Sequence, residues 1–291
     1  MIAAAVVGCT LVAAGCGPSS TSGAAGTSAS AGSSSPAATG SSSPAAAPQT
    51  PGQKLLAATA ATAELRSAVA TLTESFGSAQ EVISATVQEQ FKPTLLLSEN
   101  VNLSIAGSSQ VVGVVIDRQD IWLKVAAMKQ ETGKTWAEIP FSTLNKSSSP
   151  TAAIYKSLEG LNPTQETEFL VGAKDVRVVG TRTVEGEPTT EYSGEVVPAL
   201  AMTRLTPALR KALGPGLKQI TGDLTFRVWV DGNGYIRKTV DTGTAAGKSY
   251  MTTVEISSVN KPLHITLPPA GQTVTLPSSA LGSGSAGAGA S

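Results

Sequence analysis

Residues 82–91 (VISATVQEQF) alternate, with Ile83, Ala85, Val87 and Phe91 on one face and Ser84, Thr86, Gln88 and Gln90 on the other. A period of two predicts a half-buried strand. Residues 95–105 repeat the pattern over greater length. Leu95, Leu97, Val101, Leu103 and Ile105 share one face, Ser98, Asn100, Asn102 and Ser104 the other, and Glu99 is the exception on the apolar side. Residues 111–116 and 121–125 flank the polar turn Asp117-Arg118-Gln119-Asp120 and are apolar on both faces, which predicts a covered hairpin and places the interior there. Residues 136–141 predict a short strand ended by Pro140, and residues 145–150 a Ser-rich loop. Two further hairpins are expected: residues 175–184 with 189–197 across Glu185-Gly186-Glu187-Pro188, and 224–230 with 235–240 across Asp231-Gly232-Asn233-Gly234. A last strand is expected over 250–259.

Helical stretches are few. Residues 53–66 (QKLLAATAATAELR) lack Gly and Pro and suit an opening helix with a thin apolar face. A short helix is expected at 164–171. Thr206-Pro207 offers a hydroxyl cap and a first-turn proline before an apolar stripe of Leu205, Leu209, Ala212 and Leu213, and Gly214-Pro215-Gly216 ends it. About nine or ten antiparallel strands without regular strand–helix alternation predict an α+β plan, a long curved sheet with helices on one face.

The two ends of the chain have a different character. Residues 2–14 (IAAAVVGCTLVAA) form an apolar run too short to span a bilayer as a permanent helix, and they read as the core of a signal peptide. The run closes in Leu11-Val12-Ala13-Ala14-Gly15-Cys16, small residues before a cysteine as in the bacterial lipobox, so Cys16 is expected to be diacylated and to become the first residue after cleavage of residues 1–15. Val6-Val7-Gly8-Cys9 is a weaker match with too little apolar chain before it. No Lys or Arg precedes the run, and translation is therefore expected to begin upstream. From Gly17 to Pro51 every residue except Gln49 is Ser, Gly, Ala, Thr or Pro, a composition that stays unfolded, so residues 16–51 read as lipidated anchor and tether. Residues 277–291 have the same composition and read as a disordered tail. Residues 52–276 are left as one domain, because no internal Ser/Gly/Pro linker divides them.

Composition removes several functions. The 291 residues carry 21 Lys and Arg against 21 Asp and Glu, so there is no basic excess for nucleic acid, and three Trp, four Tyr and five Phe leave few stacking platforms. All formal charges lie between Lys54 and Lys261. His264 is the sole histidine, and with Cys9 cleaved and Cys16 acylated no thiol remains, so neither a histidine nor a thiolate metal site is expected and no cofactor is implied. No nucleophile elbow, phosphate loop or dinucleotide fingerprint occurs. Asp231-Gly-Asn-Gly resembles the start of a calcium loop but lacks the later acidic ligands. Glu185 and Glu187 read as a solvated turn rather than a catalytic pair, and Trp122, Trp136 and Trp229 as core and sheet-edge residues rather than a binding surface. The chain is not expected to be an enzyme.

The ordered motifs Trp136-Ala-Glu-Ile, Asp175-Val-Arg-Val-Val-Gly-Thr-Arg-Thr-Val-Glu-Gly, Thr190-Glu-Tyr-Ser-Gly-Glu-Val, Val228-Trp-Val-Asp-Gly-Asn-Gly-Tyr-Ile-Arg and Leu267-Pro-Pro-Ala resemble the LppX/LprG family of actinobacterial cell-envelope lipoproteins over nearly all of residues 53–276. The resemblance implies a LolA-like half-barrel, a strongly curved antiparallel sheet with helices against its concave side, enclosing an apolar cavity for lipid acyl chains. It also implies carriage of lipids or glycolipids in the envelope, with Cys16 anchored at the extracytoplasmic face of the cell membrane and a transport partner in the envelope. The residues themselves point the same way. Strands between Leu95 and Val125 carry more apolar surface than the few helices can cover, and an acyl chain is a natural filler, each buried methylene contributing about 0.8 kcal/mol. The candidate lining is Leu95, Leu97, Val101, Leu103, Val112, Val114, Ile121 and Leu123, with Leu205 and Leu209 from the helical stretch. The rival expectation is an envelope sensor or scaffold on the same fold, with a core filled by its own side chains and a protein partner.

Overall fold

The computed structural model describes residues 48–77, 81–105, 108–124, 129–130, 132–144, 169–205, 207, 210, 214 and 217–276. The signal segment, Cys16, most of the tether, the 145–150 loop, most of the expected 164–171 helix, Leu209 and the 277–291 tail lie outside them.

The opening helix, α1 (Pro51–Ala63), starts where its caps place it: the Gln53 amide donates to the Thr50 hydroxyl and the Thr50 amide to the Gln53 side chain, with Pro51 in the first turn. Its buried stripe is Leu55, Ala58, Thr59 and Thr62. The helix ends three residues earlier than the 53–66 pattern predicts. The chain then enters β1 (Ser67–Phe76), a strand absent from the sequence expectation. Alternation there is diluted by two alanines and broken by Glu74 among the inward positions Ala68, Ala70, Leu72 and Phe76, which hides the period.

Strands β2 (Glu81–Gln90), β3 (Leu96–Ile105), β4 (Ser108–Ile116), β5 (Asp120–Lys124) and β6 (Trp136–Pro140) follow as an antiparallel meander. The short helix α2 (Phe141–Leu144) continues from β6. A second meander runs through β7 (Ala173–Val184), β8 (Glu187–Val196), β9 (Ile220–Asp231), β10 (Ile236–Ala245) and β11 (Lys248–Ser257), with α3 (Pro198–Arg204) between β8 and β9. The β7–β8 turn is the two-residue form: Glu185 and Gly186 have φ of 49° and 80°, the left-handed pair that matches the twist of a hairpin. α3 lies just before the helix start expected at Thr206, which is itself outside the described residues.

Among the described residues there are twelve strands, in one open, curled sheet of order β12-β6-β5-β4-β3-β2-β1-β11-β10-β9-β8-β7. All neighbours are antiparallel except β12 (Thr273–Thr275), which runs parallel to β6 at one edge. The expected count of nine or ten is corrected by β1 and by this three-residue strand, too short for periodicity to register. β1 pairs β11 over eight residues, joining the two meanders. The helices are few, as the α+β plan requires. α1 packs on β7 and β10 and α3 on β9, over an apolar cluster that includes Leu55, Leu170, Val196, Leu224, Phe226, Val228 and Tyr250. A second cluster occupies the other half: Leu72, Ile83, Ala85, Val87, Leu97, Val101, Val114, Ile116, Ile121, Ile139 and Phe141. Phe76 packs against both.

Candidate functional site

Strand register sets the inner face. Val112, Val101, Ala85, Leu72, Val254, Thr239, Val228 and Tyr192 stand opposite one another in succession across eight strands. This row is apolar except for Thr239, and it passes without interruption from one meander to the other. The next row toward the β2–β3 and β4–β5 turns contains Leu123, Val114, Glu99, Val87, Ala70 and Ile256.

Of the candidate lining residues, the structure brings Leu97, Val101, Leu103, Val112, Val114, Ile121 and Leu123 into the second cluster. Val101 and Ile121 are 0% exposed. Leu103, Val112 and Leu123 are half-buried and stand in three successive inward rows, on β3, β4 and β5. Leu95 sits just before β3, half-buried and outside the cluster. Leu205 is buried in the other cluster, beside α3, so the structure separates it from the strand residues with which it was grouped. Spacing within a helix shows which residues share a stripe, but not which half of a long sheet that stripe meets.

The inner face also carries polar residues that sequence reasoning passed over. Glu74, Thr252 and Asp241 are cross-strand neighbours on β1, β11 and β10, all buried, and the Thr252 hydroxyl donates to Glu74 Oε1 at 3.3 Å. Glu89 and Glu99 are buried on β2 and β3. The sequence pattern marks only Glu99, as the exception in its strand. Glu89 was legible, since it alternates with Val87 and Phe91, whereas Glu74 belonged to an unrecognised strand and Asp241 lay one residue beyond the expected end of another. A buried carboxylate is costly unless compensated, so these positions are set by the fold. Tyr250, next to Thr252 in inward order on β11, is buried with its ring 6.4 Å from that of Phe76. Burial, then the neighbouring Asp241 and Glu74 carboxylates, push its phenol well above the ordinary range.

The opposite face is charged and tied to itself. Glu191, 1% exposed, accepts from Arg227 Nε at 2.7 Å and also faces Arg227 Nη2 and Arg182. The Trp229 ring is buried between Arg227 and Lys238, at 5.2 and 5.6 Å from its centroid. Trp122 is buried and Trp136 lies half-buried under Lys124, so the tryptophans do not form one surface. The Asp231 carboxylate accepts from the Asn233 and Tyr235 amides and from Arg237 Nε at 2.6 Å, which makes this segment a self-satisfied hairpin turn rather than a cation loop. His264 is exposed on an irregular segment. Among the described residues no group of three or more His, Cys, Asp or Glu is placed to hold a metal ion, and no helix is long and apolar enough to cross a membrane.

No family model and no curated protein matches the chain. Among solved structures it is similar to LprF from Mycobacterium bovis, at 13% identity over 75% of this chain and 96% of that one, with a TM-score of 0.48. It is also similar to the lipoprotein LppX from Mycobacterium tuberculosis, at 17% identity over 74% and 98%, with a TM-score of 0.46. The MucA/MucB complex from Pseudomonas aeruginosa matches at 12% identity over 76% and 62%, with a TM-score of 0.35. The likeness is one of fold. No ligand and no residue's role is carried over from it.

Proposed function

We propose that the protein is a lipoprotein, anchored through an acylated Cys16 at the extracytoplasmic face of the cell membrane, that binds the acyl chains of lipids or glycolipids on the inner face of its sheet and carries them within the envelope. The observation that supports this reading is the apolar row from Val112 to Tyr192, which extends far beyond the strands on which α1 and α3 pack. An alkyl chain lying along such a floor gains about 0.8 kcal/mol per methylene and needs no placed polar partner. Leu103, Val112 and Leu123, half-buried on β3, β4 and β5, are the proposed contacts. Val101, Val114 and Ile121 are buried floor residues beside them on the same face.

The test is to purify the full chain from membranes, extract it with organic solvent and analyse the extract by mass spectrometry, alongside uptake of a fluorescent acyl lipid. Co-purifying acyl lipid and saturable uptake are expected; absence of both overturns the carrier reading. Cys16→Ala is expected to move the protein to the soluble fraction, and retention on membranes overturns the anchor. One observation favours a second reading, a sensor or scaffold that acts through a protein partner: the floor residues Val101 and Ile121 are already 0% exposed within the chain itself. That reading expects the extract to be empty.

A further inference from the structure

We infer that Tyr250 is the hydrogen-bond donor by which this inner face selects acyl lipids that carry an ester carbonyl, an inference that rests on the acyl-chain reading above. The phenol is 3% exposed and its hydroxyl has no hydrogen-bond partner among the described residues. A buried donor left without an acceptor costs about 1–3 kcal/mol, and native interiors keep few of them. The position is built for the ring. Tyr250 crosses the neighbouring strand at Gly243, where a Cβ would stand 3.1 Å from Oη and 3.2 Å from Cε1, so only the missing side chain at 243 lets the phenol lie there.

Its surroundings indicate what the hydroxyl awaits. Burial and the nearby Asp241 and Glu74 carboxylates keep the phenol protonated, so it stands as a donor and not as a phenolate. Its ring faces Phe76, the half-buried residue that packs against both apolar clusters, on one side, and its Oη lies over Gly243 of β10 on the other, so the tyrosine stands on the inner face with its hydroxyl toward the first cluster. A lipid seated with its chains on that face presents a strong neutral acceptor where each chain begins, the ester carbonyl. An ether-linked lipid offers the same hydrocarbon without it.

The experiment compares binding of dioleoylglycerol and of the matching dioleyl ether to the full chain and to its Tyr250→Phe variant, with urea unfolding of both proteins as control. The wild type is expected to bind the ester about fivefold more tightly, the value of one hydrogen bond. The variant is expected to bind both at the affinity of the ether, with an unfolding midpoint no lower than that of the wild type. Equal affinity of the wild type for the two lipids, an ester preference that survives in the variant, or a lowered midpoint, which would mean that the hydroxyl is bonded inside the protein, each overturns the role of Tyr250 and leaves acyl binding standing. Binding of neither lipid by the wild type overturns the acyl-chain reading and this inference with it.

Discussion

Thr62 ties the opening helix to the sheet by a single hydroxyl, and replacing it by valine tests whether that tie matters. The side chain is 0% exposed; its Oγ1 donates to the Ala58 carbonyl at 2.7 Å and accepts from the Ile236 amide, at the start of β10, at 2.9 Å. Thr62→Val preserves shape but leaves the buried Ile236 N–H with no acceptor, which costs about 1–3 kcal/mol. Thr62→Ser keeps the hydroxyl and deletes one buried methyl, a loss of about 0.5–1.5 kcal/mol. Valine should therefore be the worse substitution although it is the more apolar one. With a urea slope of about 2 kcal/mol per molar, a 2 kcal/mol loss lowers the midpoint by about 1 M. Circular dichroism during urea unfolding measures this, and hydrogen exchange at the Ile236 amide should quicken in the valine variant alone. A valine midpoint equal to or above that of serine would refute the tie.

Three further outcomes are expected. Asp120 has its carboxyl raised by burial and by the Glu138 and Asp117 charges, so the folded state holds that proton to higher pH than the unfolded chain, and stability falls as pH rises from the ordinary carboxylate value of about 4 through the raised one; Asp120→Asn should stabilise at pH 7 and lose the gain by pH 3, and an equal gain at both would contradict the sign. On the opposite face, Arg227→Ala leaves the buried Glu191 carboxylate with Arg182 as its remaining guanidinium, whereas Glu191→Gln releases guanidinium groups that already reach water, their side chains being 48% and 66% exposed. The arginine variant should lose about 1–3 kcal/mol and unfold at lower urea than the glutamine variant, and the reverse order would reject the asymmetry. Gly243→Ala places a Cβ 2.5 Å from Leu224 Cδ2 as well as against Tyr250, and overpacking of this kind costs about 1–3 kcal/mol; an unchanged midpoint and near-ultraviolet spectrum would show that the site yields freely.

Much of the sheet was readable because each side chain's face follows from counting by two. The alternation over 82–91 and 95–105 places Ile83, Ala85, Val87, Leu97 and Val101 on the buried side, where they stand. The turns at Glu185-Gly186 and Asp231 to Gly234 were legible from turn chemistry alone. What alternation does not encode is which strands meet: nothing local in Ser67–Phe76 announces its partnership with β11, and a strand with Ala, Thr and Glu at its inward and outward positions resembles the end of the preceding helix. The candidate lining was correspondingly half legible. Strand residues assembled as a group because their neighbours in sequence are neighbours in the sheet, whereas Leu205 joined the opposite half through packing of α3. Tyr250 was invisible as a candidate, because its role depends on Gly243 and Phe76, which lie on strands to either side.

The seam between β1 and β11 has a consequence for assembly. The Ser257 hydroxyl donates to the Val69 carbonyl across a sequence separation of 188 residues, so the middle of the sheet is made by the first and nearly the last of its strands. Until β11 arrives, the chain amounts to two ribbons with a bare edge each, and loop closure across most of the polypeptide must precede the reward of joining them. Any shortened product that stops before residue 248 would leave β1 and β10 unpaired and offer both edges to other copies.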